Sequence, residues 1–265
     1  MHKEPEKSGY EHSGFPVKQK EGPFMKTAAF FDIDGTLYRE VFMKELFKRM
    51  IRSEIIKEED WFTQVKPYYD KYDRRVGSYD DYLIKMANIY TLAIKGYHRS
   101  FIEHIIHNVV RDMGLRNYLF TRNRIKWHKN EGHKVLTISG SPIELVREMA
   151  SLHDFDDYRG SIYPMDEKEC YTGEVLPMWD GKSKQNAIFE FRDLYDIDLE
   201  SSYAYGDTAG DFTMFKLVGH PVLVNPTREL VNLVLQDPEV RKKAEVAVER
   251  KDIIYHVKID DLDID

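Results

Sequence analysis

The segment that most constrains this chain is a short apolar run that ends in two closely spaced aspartates. Residues 27–37 read Thr-Ala-Ala-Phe-Phe-Asp-Ile-Asp-Gly-Thr-Leu. The run predicts a buried strand, and Gly35 fits the turn that ends it. Asp32 and Asp34 would repel each other and lose solvation there, which is costly unless they bind a cation or take part in chemistry. Because open α/β sheets place their ligands at this edge, we expect a hard-cation site with a carboxylate nucleophile.

Composition argues against several other classes of protein. The net charge of −7 argues against a general nucleic-acid binder, which needs a basic face. Cys170 is the only cysteine, so a disulfide framework within the chain and a cysteine metal cage are excluded, and we expect a cytoplasmic protein. No stretch approaches the roughly 18 apolar residues of a membrane span, so we expect no integral membrane segment. The oligomeric state stays open.

The chain divides into three regions by pattern. Residues 1–24 are rich in Lys, Glu, Gly and Pro and lack an apolar stretch, which predicts a disordered leader rather than a signal peptide. Residues 25–39 and 131–265 alternate strand and helix patterns, which predicts an α/β core with a doubly wound parallel sheet. Residues 40–130 show helical periodicity throughout. They are too many for one crossover and predict an all-helical cap domain inserted after the first strand.

Short apolar runs closed by turn residues predict the strands, and runs of helical period predict the helices. The predicted strands cover residues 28–31, 134–138, 202–205 and 221–224, with a last strand at 253–257. The predicted helices include residues 41–56, 79–94, 101–113 and 185–194. Glycines and prolines within residues 158–180 predict a strand-turn excursion before the next helix.

Three further segments near predicted strand ends contain candidate functional residues. They are Ser139 in Ile-Ser-Gly-Ser-Pro, Lys182 and Lys184 in Asp-Gly-Lys-Ser-Lys, and Asp207 and Asp211 in Gly-Asp-Thr-Ala-Gly-Asp.

The segment after the second strand also predicts a helix start. Ser141 and Glu144 have the spacing of a capping box, with Pro142 at the first helical position. The free N–H groups of such a helix start are able to hold an anion.

Together these groups suit phosphoryl transfer. Mg²⁺ prefers oxygen ligands and keeps some waters. Lysine, hydroxyl and N–H groups neutralise phosphoryl oxygens. A carboxylate nucleophile divides hydrolysis into two steps, and a second carboxylate protonates the leaving oxygen and then deprotonates water. The sequence therefore predicts Mg²⁺ as the cofactor and a small phosphorylated molecule as the substrate.

The four segments, in this order, resemble the four motifs of the haloacid dehalogenase superfamily of phosphohydrolases. The helical insert after the first motif is similar to that of its phosphoserine-phosphatase-like branch, the subfamily IB type. The resemblance implies a phosphomonoester phosphatase that acts through an aspartyl-phosphate. It also implies that Asp32 is the nucleophile and a Mg²⁺ ligand. Asp34 would be the general acid and base, with its carbonyl on the metal.

The resemblance assigns the other motif residues as well. Ser139 and Gly140 would hold phosphoryl oxygens, Asp207 would ligate Mg²⁺, and Asp211 would support the metal directly or through its neighbours. The phosphate-binding lysine would be Lys184.

The choice of Lys184 rests on the helix register. In the family this lysine begins a helix and an apolar residue follows four positions later, which fits Lys184 and Ile188. Lys182 remains the alternative.

The substrate stays open because the chain departs from the phosphoserine phosphatases. They usually have a substrate-binding glutamate nine residues after the nucleophile, where this chain has Val41. A phosphotransferase or phosphomutase, or a lipid-phosphate phosphatase, would use the same core. A non-catalytic protein that binds a phosphorylated ligand is a further alternative, against which the intact pair of Asp32 and Asp34 argues.

Overall fold

The computed structural model describes residues 25–263, which form a seven-stranded sheet between layers of helices. The leader expected at residues 1–24 lies outside the described residues. The strands are β1 (Ala28–Phe31), β2 (Lys134–Pro142), β3 (Asp157–Ser161), β4 (Tyr203–Gly206), β5 (His220–Val224), β6 (Glu245–Arg250) and β7 (Ile253–Val257). Their order across the sheet is β3-β2-β1-β4-β5-β6-β7, and all pairs are parallel except β6 with β7. The predicted doubly wound α/β sheet is confirmed, with one antiparallel strand at its edge.

The five predicted strands are all present, and two of them have the predicted bounds. β2 extends past residue 138. Its pairing with β3 is irregular between Ile138 and Pro142, and it resumes where Pro142 pairs with Ser161. β3 forms the beginning of the predicted strand-turn excursion. The sequence does not predict β6, whose short apolar centre lies between charged residues.

Seven helical elements separate β1 from β2. They are α1 (Phe42–Arg52), α2 (Glu58–Asp60), a π-helical turn (Trp61–Val65), α3 (Lys66–Asp73), α4 (Tyr79–Ala93), α5 (Arg99–Met113) and α6 (Leu119–Asn130). The helices after β2 are α7 (Ile143–Leu152), α8 (Gly181–Tyr195), α9 (Phe212–Leu217), α10 (Arg228–Gln236) and α11 (Pro238–Lys243), with 3₁₀ turns at Ala209–Asp211 and Ile259–Asp261. In the part of the chain described, no helix has both the length and the apolarity needed to cross a membrane.

Helix α6 packs on the sheet. Thr121 Oγ donates to the carbonyl oxygen of Thr36 at 2.7 Å, and Arg124 Nε donates to the hydroxyl of Tyr205 on β4 at 2.8 Å. These contacts connect α6 to the turn after β1 and to β4. The cap over residues 40–130 stays a prediction from the sequence.

The strand side chains alternate between two apolar clusters, one on each face of the sheet, as the two-residue period of a strand requires. Ala28 and Phe30 belong to the cluster that contains α8 to α11. Ala29 and Phe31 belong to the other, which also contains the apolar faces of α1, α4, α5 and α7. The cap helices therefore share one continuous core with a sheet face, and this packing holds them beside the sheet.

Candidate active site

The candidate residues meet at the carboxyl edge of the sheet, where β1 and β4 lie side by side. Asp32 follows β1, and its N–H donates to the carbonyl oxygen of Tyr205 at 3.0 Å. Asp207 directly follows β4. The strand order reverses here, because β2 and β3 lie on one side of β1 and β4 to β6 lie on the other. Open α/β sheets form their ligand-binding crevice at this kind of position.

Lys184 joins two of the carboxylates. Its Nζ lies 2.7 Å from Oδ1 of Asp32 and 2.5 Å from Oδ1 of Asp211, and its side chain is only 4% exposed. Lys182 is exposed, so the structure brings Lys184 and not Lys182 into this cluster.

The start of α8 places Lys184. Asp180 caps the helix, with Oδ1 accepting the N–H of Ser183 at 2.9 Å and Oδ2 accepting the hydroxyl of Ser183 at 2.7 Å. The helix therefore begins at Gly181, earlier than the predicted residue 185, and Lys184 lies in its first turn.

Asp32, Asp207 and Asp211 form a buried acidic cluster, in which one oxygen from each residue lies within 4.8 Å of the others. When ionised, three carboxylates against the one charge of Lys184 leave a net charge of −2 (−3 + 1). An all-oxygen donor set with this excess of negative charge suits a hard divalent cation. The residues present therefore fit a site for such an ion.

Burial changes the titration of the cluster. It raises the pKa of Asp32 to about 8, with Asp211 and Asp34 adding to the rise and Lys184 opposing it. Burial, followed by the charges of Asp211 and Asp32, raises the pKa of Asp207 well above its usual range. A bound cation would favour the ionised form of each carboxyl group.

Gly35 and Thr36 position Asp207. Thr36 Oγ donates to Oδ1 of Asp207 at 2.9 Å. Gly35 forms the predicted turn with φ of +79°, and a Cβ atom at this position would overlap the carboxylate of Asp207. The turn after β1 and the carboxylate after β4 thus pack against each other with no room for a larger residue.

Both oxygens of Asp211 are occupied within the chain. Oδ2 accepts the N–H groups of Asp207 and Thr208, each at 3.0 Å, in a capping box at the 3₁₀ turn. Oδ1 accepts the hydrogen bond from Lys184. Asp211 therefore holds both the lysine and the loop that contains Asp207.

Asp34 lies beside the cluster and connects the core with the cap. Its Oδ1 accepts the N–H of Phe42 at the start of α1, and its Oδ2 accepts the hydroxyl of Ser141 at 2.6 Å. Burial raises the pKa of Asp34, while these two hydrogen bonds lower it.

The predicted capping box of Ser141 and Glu144 is wrong. Helix α7 begins at Ile143 with no side-chain cap, and Glu144 instead accepts a hydrogen bond from the hydroxyl of Tyr171 at 3.1 Å. The reason is that β2 continues to Pro142, so Ser141 is still part of the strand and its hydroxyl reaches Asp34.

Ser139 lies on β2, two residues before Ser141. It is fully buried, and its Oγ accepts the N–H of Ser141 at 3.2 Å. Gly140 and Ser141 both line the cavity described next. The sequence pattern indicates only a helix cap for Ser141. Nothing in the local sequence shows that the hydroxyl of Ser141, and not that of Ser139, reaches Asp34.

A cavity of about 370 Å³ opens onto Asp32, Asp34 and Lys184. Its remaining wall comes mainly from the cap and from the segment before α8. The wall residues that the sequence pattern does not single out are Met43, Tyr79, Asp80, Leu83, Ile84, Ala87 and Trp179. Apolar residues on α4 have the same helical spacing whether they face a core or a cavity, so the sequence alone does not distinguish the two.

The doubly wound sheet, the helical insert and the buried carboxylate–lysine cluster define an α/β enzyme with a candidate site at the carboxyl edge of the sheet. The sequence profile of the haloacid dehalogenase-like hydrolases matches residues 29–216. The chain belongs to this family, as its four motifs predict.

Two relatives and one solved structure illustrate the similarity. The chain is 27% identical over 207 residues to the "inhibition of morphological differentiation protein" of Streptomyces azureus, covering 77% of this chain and 74% of the relative. It is 28% identical over 218 residues to a probable phosphatase of Mycobacterium tuberculosis, covering 78% and 72%. Its fold is similar to that of a phosphoserine phosphatase solved as a phospho-aspartyl intermediate analogue. The TM-score is 0.56 and the identity 20%, with 86% of this chain and 95% of that chain covered.

Proposed function

We propose that this protein is a Mg²⁺-dependent phosphomonoester phosphatase that forms a phosphoryl intermediate on Asp32. The observation that carries the proposal is the ion pair of Lys184 with Asp32 inside the buried acidic cluster. Support comes from the Mycobacterium tuberculosis relative, which is named a probable phosphatase, and from the fold shared with phosphoserine phosphatase. The substrate in this proposal is a small phosphorylated molecule.

In the first step, a carboxylate oxygen of Asp32 attacks phosphorus, and the bond from phosphorus to the alcohol oxygen breaks. Oδ1 of Asp32 accepts the hydrogen bond from Lys184. Within residues 25–263 no hydrogen bond is directed to Oδ2, so this oxygen is left to react. We assign the phosphoryl oxygens to Lys184, Ser139 and Gly140, whose positive charge and polar groups would stabilise the developing negative charge.

Asp34 moves the protons in both steps. It gives a proton to the alcohol oxygen as the first bond breaks. It then takes a proton from the water that attacks phosphorus, as the bond from Asp32 to phosphorus breaks and phosphate leaves. A carboxyl group whose pKa is raised by burial suits this exchange, because it holds a proton more readily than a solvated carboxyl group does.

The metal site in this proposal consists of the carboxylates of Asp32 and Asp207 and the carbonyl of Asp34. Mg²⁺ bound there would supply positive charge that neutralises phosphoryl oxygens. Asp211 would support the site by holding Lys184 and the loop of Asp207, since both of its oxygens already accept hydrogen bonds.

The cap helices over the cavity would exclude water during the first step and select the leaving alcohol. The cytoplasmic location and the absence of a nucleic-acid partner stay predictions from the sequence.

The test is phosphate release from a panel of phosphomonoesters, with Mg²⁺ or with EDTA. We expect metal-dependent release that is lost in Asp32→Asn and retained in the control Asp193→Asn, which changes an exposed aspartate on α8. Equal amounts of free phosphate and alcohol would distinguish a phosphatase from a phosphotransferase. Release that persists in Asp32→Asn, or that EDTA leaves unchanged, would contradict the proposal.

A further inference from the structure

The cavity wall contributed by the cap and the segment before α8 is largely apolar. Val41, Met43, Leu83, Ala87 and Trp179 line it. A volume of about 370 Å³ lies at the small end of the range for ligand pockets and suits a compact alcohol. The hydroxyl groups of sugars or polyols would lose their hydration against this wall with few partners to replace it.

Positive charge is scarce in the same cavity. Among the described residues that line it, Lys184 is the one cation, and its Nζ already contacts Asp32 and Asp211. A carboxylate on the leaving alcohol would therefore lose solvation without gaining a cationic partner, which is unfavourable.

Asp80 supplies negative charge on the wall. It is the second residue of α4 and is half-buried, and its carboxylate makes no hydrogen bond or ion pair with any residue from 25 to 263. Asp180, also on the wall, differs because Ser183 occupies both of its oxygens.

The electrostatic surroundings of Asp80 are mainly acidic. Burial, followed by the charges of Glu229 and Asp211, raises its pKa to about 6, and Lys184 opposes the rise. Asp80 is thus largely ionised at neutral pH and has no close cation within the described chain.

A second cavity, of about 550 Å³, also borders Asp80, and two arginines line it. Arg75 lies over the ring of Tyr72, 5.5 Å from its centroid, and Arg228 donates to the carbonyl oxygen of Arg75 at 3.4 Å. Neither arginine lies within ion-pair distance of Asp80, so its charge remains available to a ligand.

We propose, resting on the phosphatase function above, that the substrate is the phosphate ester of a small alcohol that carries an ammonium group and no carboxylate. The ammonium group would pair with Asp80, and the apolar part of the alcohol would lie against Leu83 and Trp179.

Two pairs of esters test this selectivity in the full-length enzyme with Mg²⁺. Phosphocholine and 3,3-dimethylbutyl phosphate have the same shape and differ in the positive charge. Phosphoethanolamine and phosphoserine differ in the carboxylate. We expect kcat/KM to be higher by about tenfold or more for phosphocholine and for phosphoethanolamine, each within its own pair.

A pair of variants tests the role of Asp80. Asp80→Asn should lower kcat/KM for phosphocholine by about tenfold and leave 3,3-dimethylbutyl phosphate unchanged. Asp81→Asn is the matched control, because Asp81 is the next residue of α4 and is exposed. It should leave both esters unchanged.

The outcomes separate this inference from the proposed function. Equal rates within each pair, a preference for phosphoserine, or hydrolysis of p-nitrophenyl phosphate with none of the four esters accepted would overturn the inference and leave the phosphatase standing. Equal losses in Asp80→Asn for both members of the charge pair would also overturn it. Failure to hydrolyse any ester, p-nitrophenyl phosphate included, would overturn the proposed function itself.

Discussion

The hydroxyl of Ser141 donates a hydrogen bond of 2.6 Å to Oδ2 of Asp34. This contact joins the end of β2 to the turn after β1. The N–H of Phe42 donates to the other oxygen of the same carboxyl group, from the start of the first cap helix. The position of Asp34, the proposed acid and base, therefore depends on the sheet and the cap together.

Ser141→Ala should lower kcat by about tenfold, because the carboxyl group of Asp34 loses one of the two hydrogen bonds that orient it. KM should change by less than about threefold, since the proposed phosphate contacts remain. Steady-state kinetics on the best ester of the panel measures both constants. Ser151→Ala is the control, because Ser151 is an exposed residue of α7. An unchanged kcat in Ser141→Ala would show that the contact does not matter for turnover.

Lys184→Ala should lower the free energy of unfolding by about 3–5 kcal/mol, because it leaves the buried carboxylates of Asp32 and Asp211 without their cation. Lys182→Ala should change it by less than about 0.5 kcal/mol, because Lys182 is exposed. Urea unfolding at neutral pH without added metal measures both. Similar free energies of unfolding for the two variants would contradict the assignment of Lys184 to the buried acidic cluster.

Gly35→Ala should abolish most metal-dependent phosphate release, because its Cβ would displace the carboxylate of Asp207. Gly96 is a matched control, because it has the same φ of +79° and a Cβ atom there would meet no other atom within 4 Å. Both variants should lose about 1–2 kcal/mol of stability from the left-handed conformation, and only Gly35→Ala should lose activity. Unfolding and phosphate release measured on both variants distinguish the cost of the left-handed backbone from the effect of the overlap with Asp207. Equal activities would show that Asp207 tolerates the extra atom.

His128 should make stability depend on pH. Burial, with the nearby charges of Arg124 and His133, lowers its pKa to about 3, and its ring contacts the hydroxyl of Tyr205 at 2.8 Å. In the unfolded chain the pKa of this histidine is about 6.5. Between pH 3 and pH 6.5 the unfolded chain therefore binds a proton at His128 that the folded chain does not bind. The contribution of His128 is therefore fully present above pH 6.5 and is lost as the pH falls toward 3. The loss amounts to about 2 kcal/mol by pH 5.

Unfolding free energies measured at pH 7 and pH 5 check this prediction. His128→Gln should reduce the difference between the two values. His104→Gln, which changes an exposed histidine of α5, should leave the difference as in the wild type. Equal differences in all three proteins would contradict a buried, neutral His128.

The sequence predicts those parts of the site that depend on order along the chain. Asp32 and Asp207 each follow a short apolar strand, and parallel strands bring their carboxyl ends to one edge. The helical register favours Lys184 over Lys182, and the structure places the amine of Lys184 between two of the predicted carboxylates. The strand ends and the helix register follow from the local pattern of apolar and polar residues, so the sequence alone predicts them.

Other features depend on contacts between distant segments. Ser141 has the local pattern of a helix cap, yet pairing of β2 with β3 keeps it in a strand. Asp80 and Trp179 lie far apart in sequence and border one cavity only because the cap packs over the sheet edge. Strand β3 is polar, and strand β6 has only a short apolar centre. Both gain their stability from neighbouring strands, so local propensity gives little sign of β6.

Transfer of the phosphoryl group through Asp32 is the step on which the proposed function depends. Borohydride reduces an acyl phosphate to an alcohol, so enzyme quenched during turnover and then reduced should contain homoserine at position 32, as peptide mass spectrometry would show. The conversion should require both substrate and Mg²⁺. Homoserine at the position of Asp34 or Asp207 instead, or no substrate-dependent conversion in an enzyme that is turning over, would contradict the proposed mechanism.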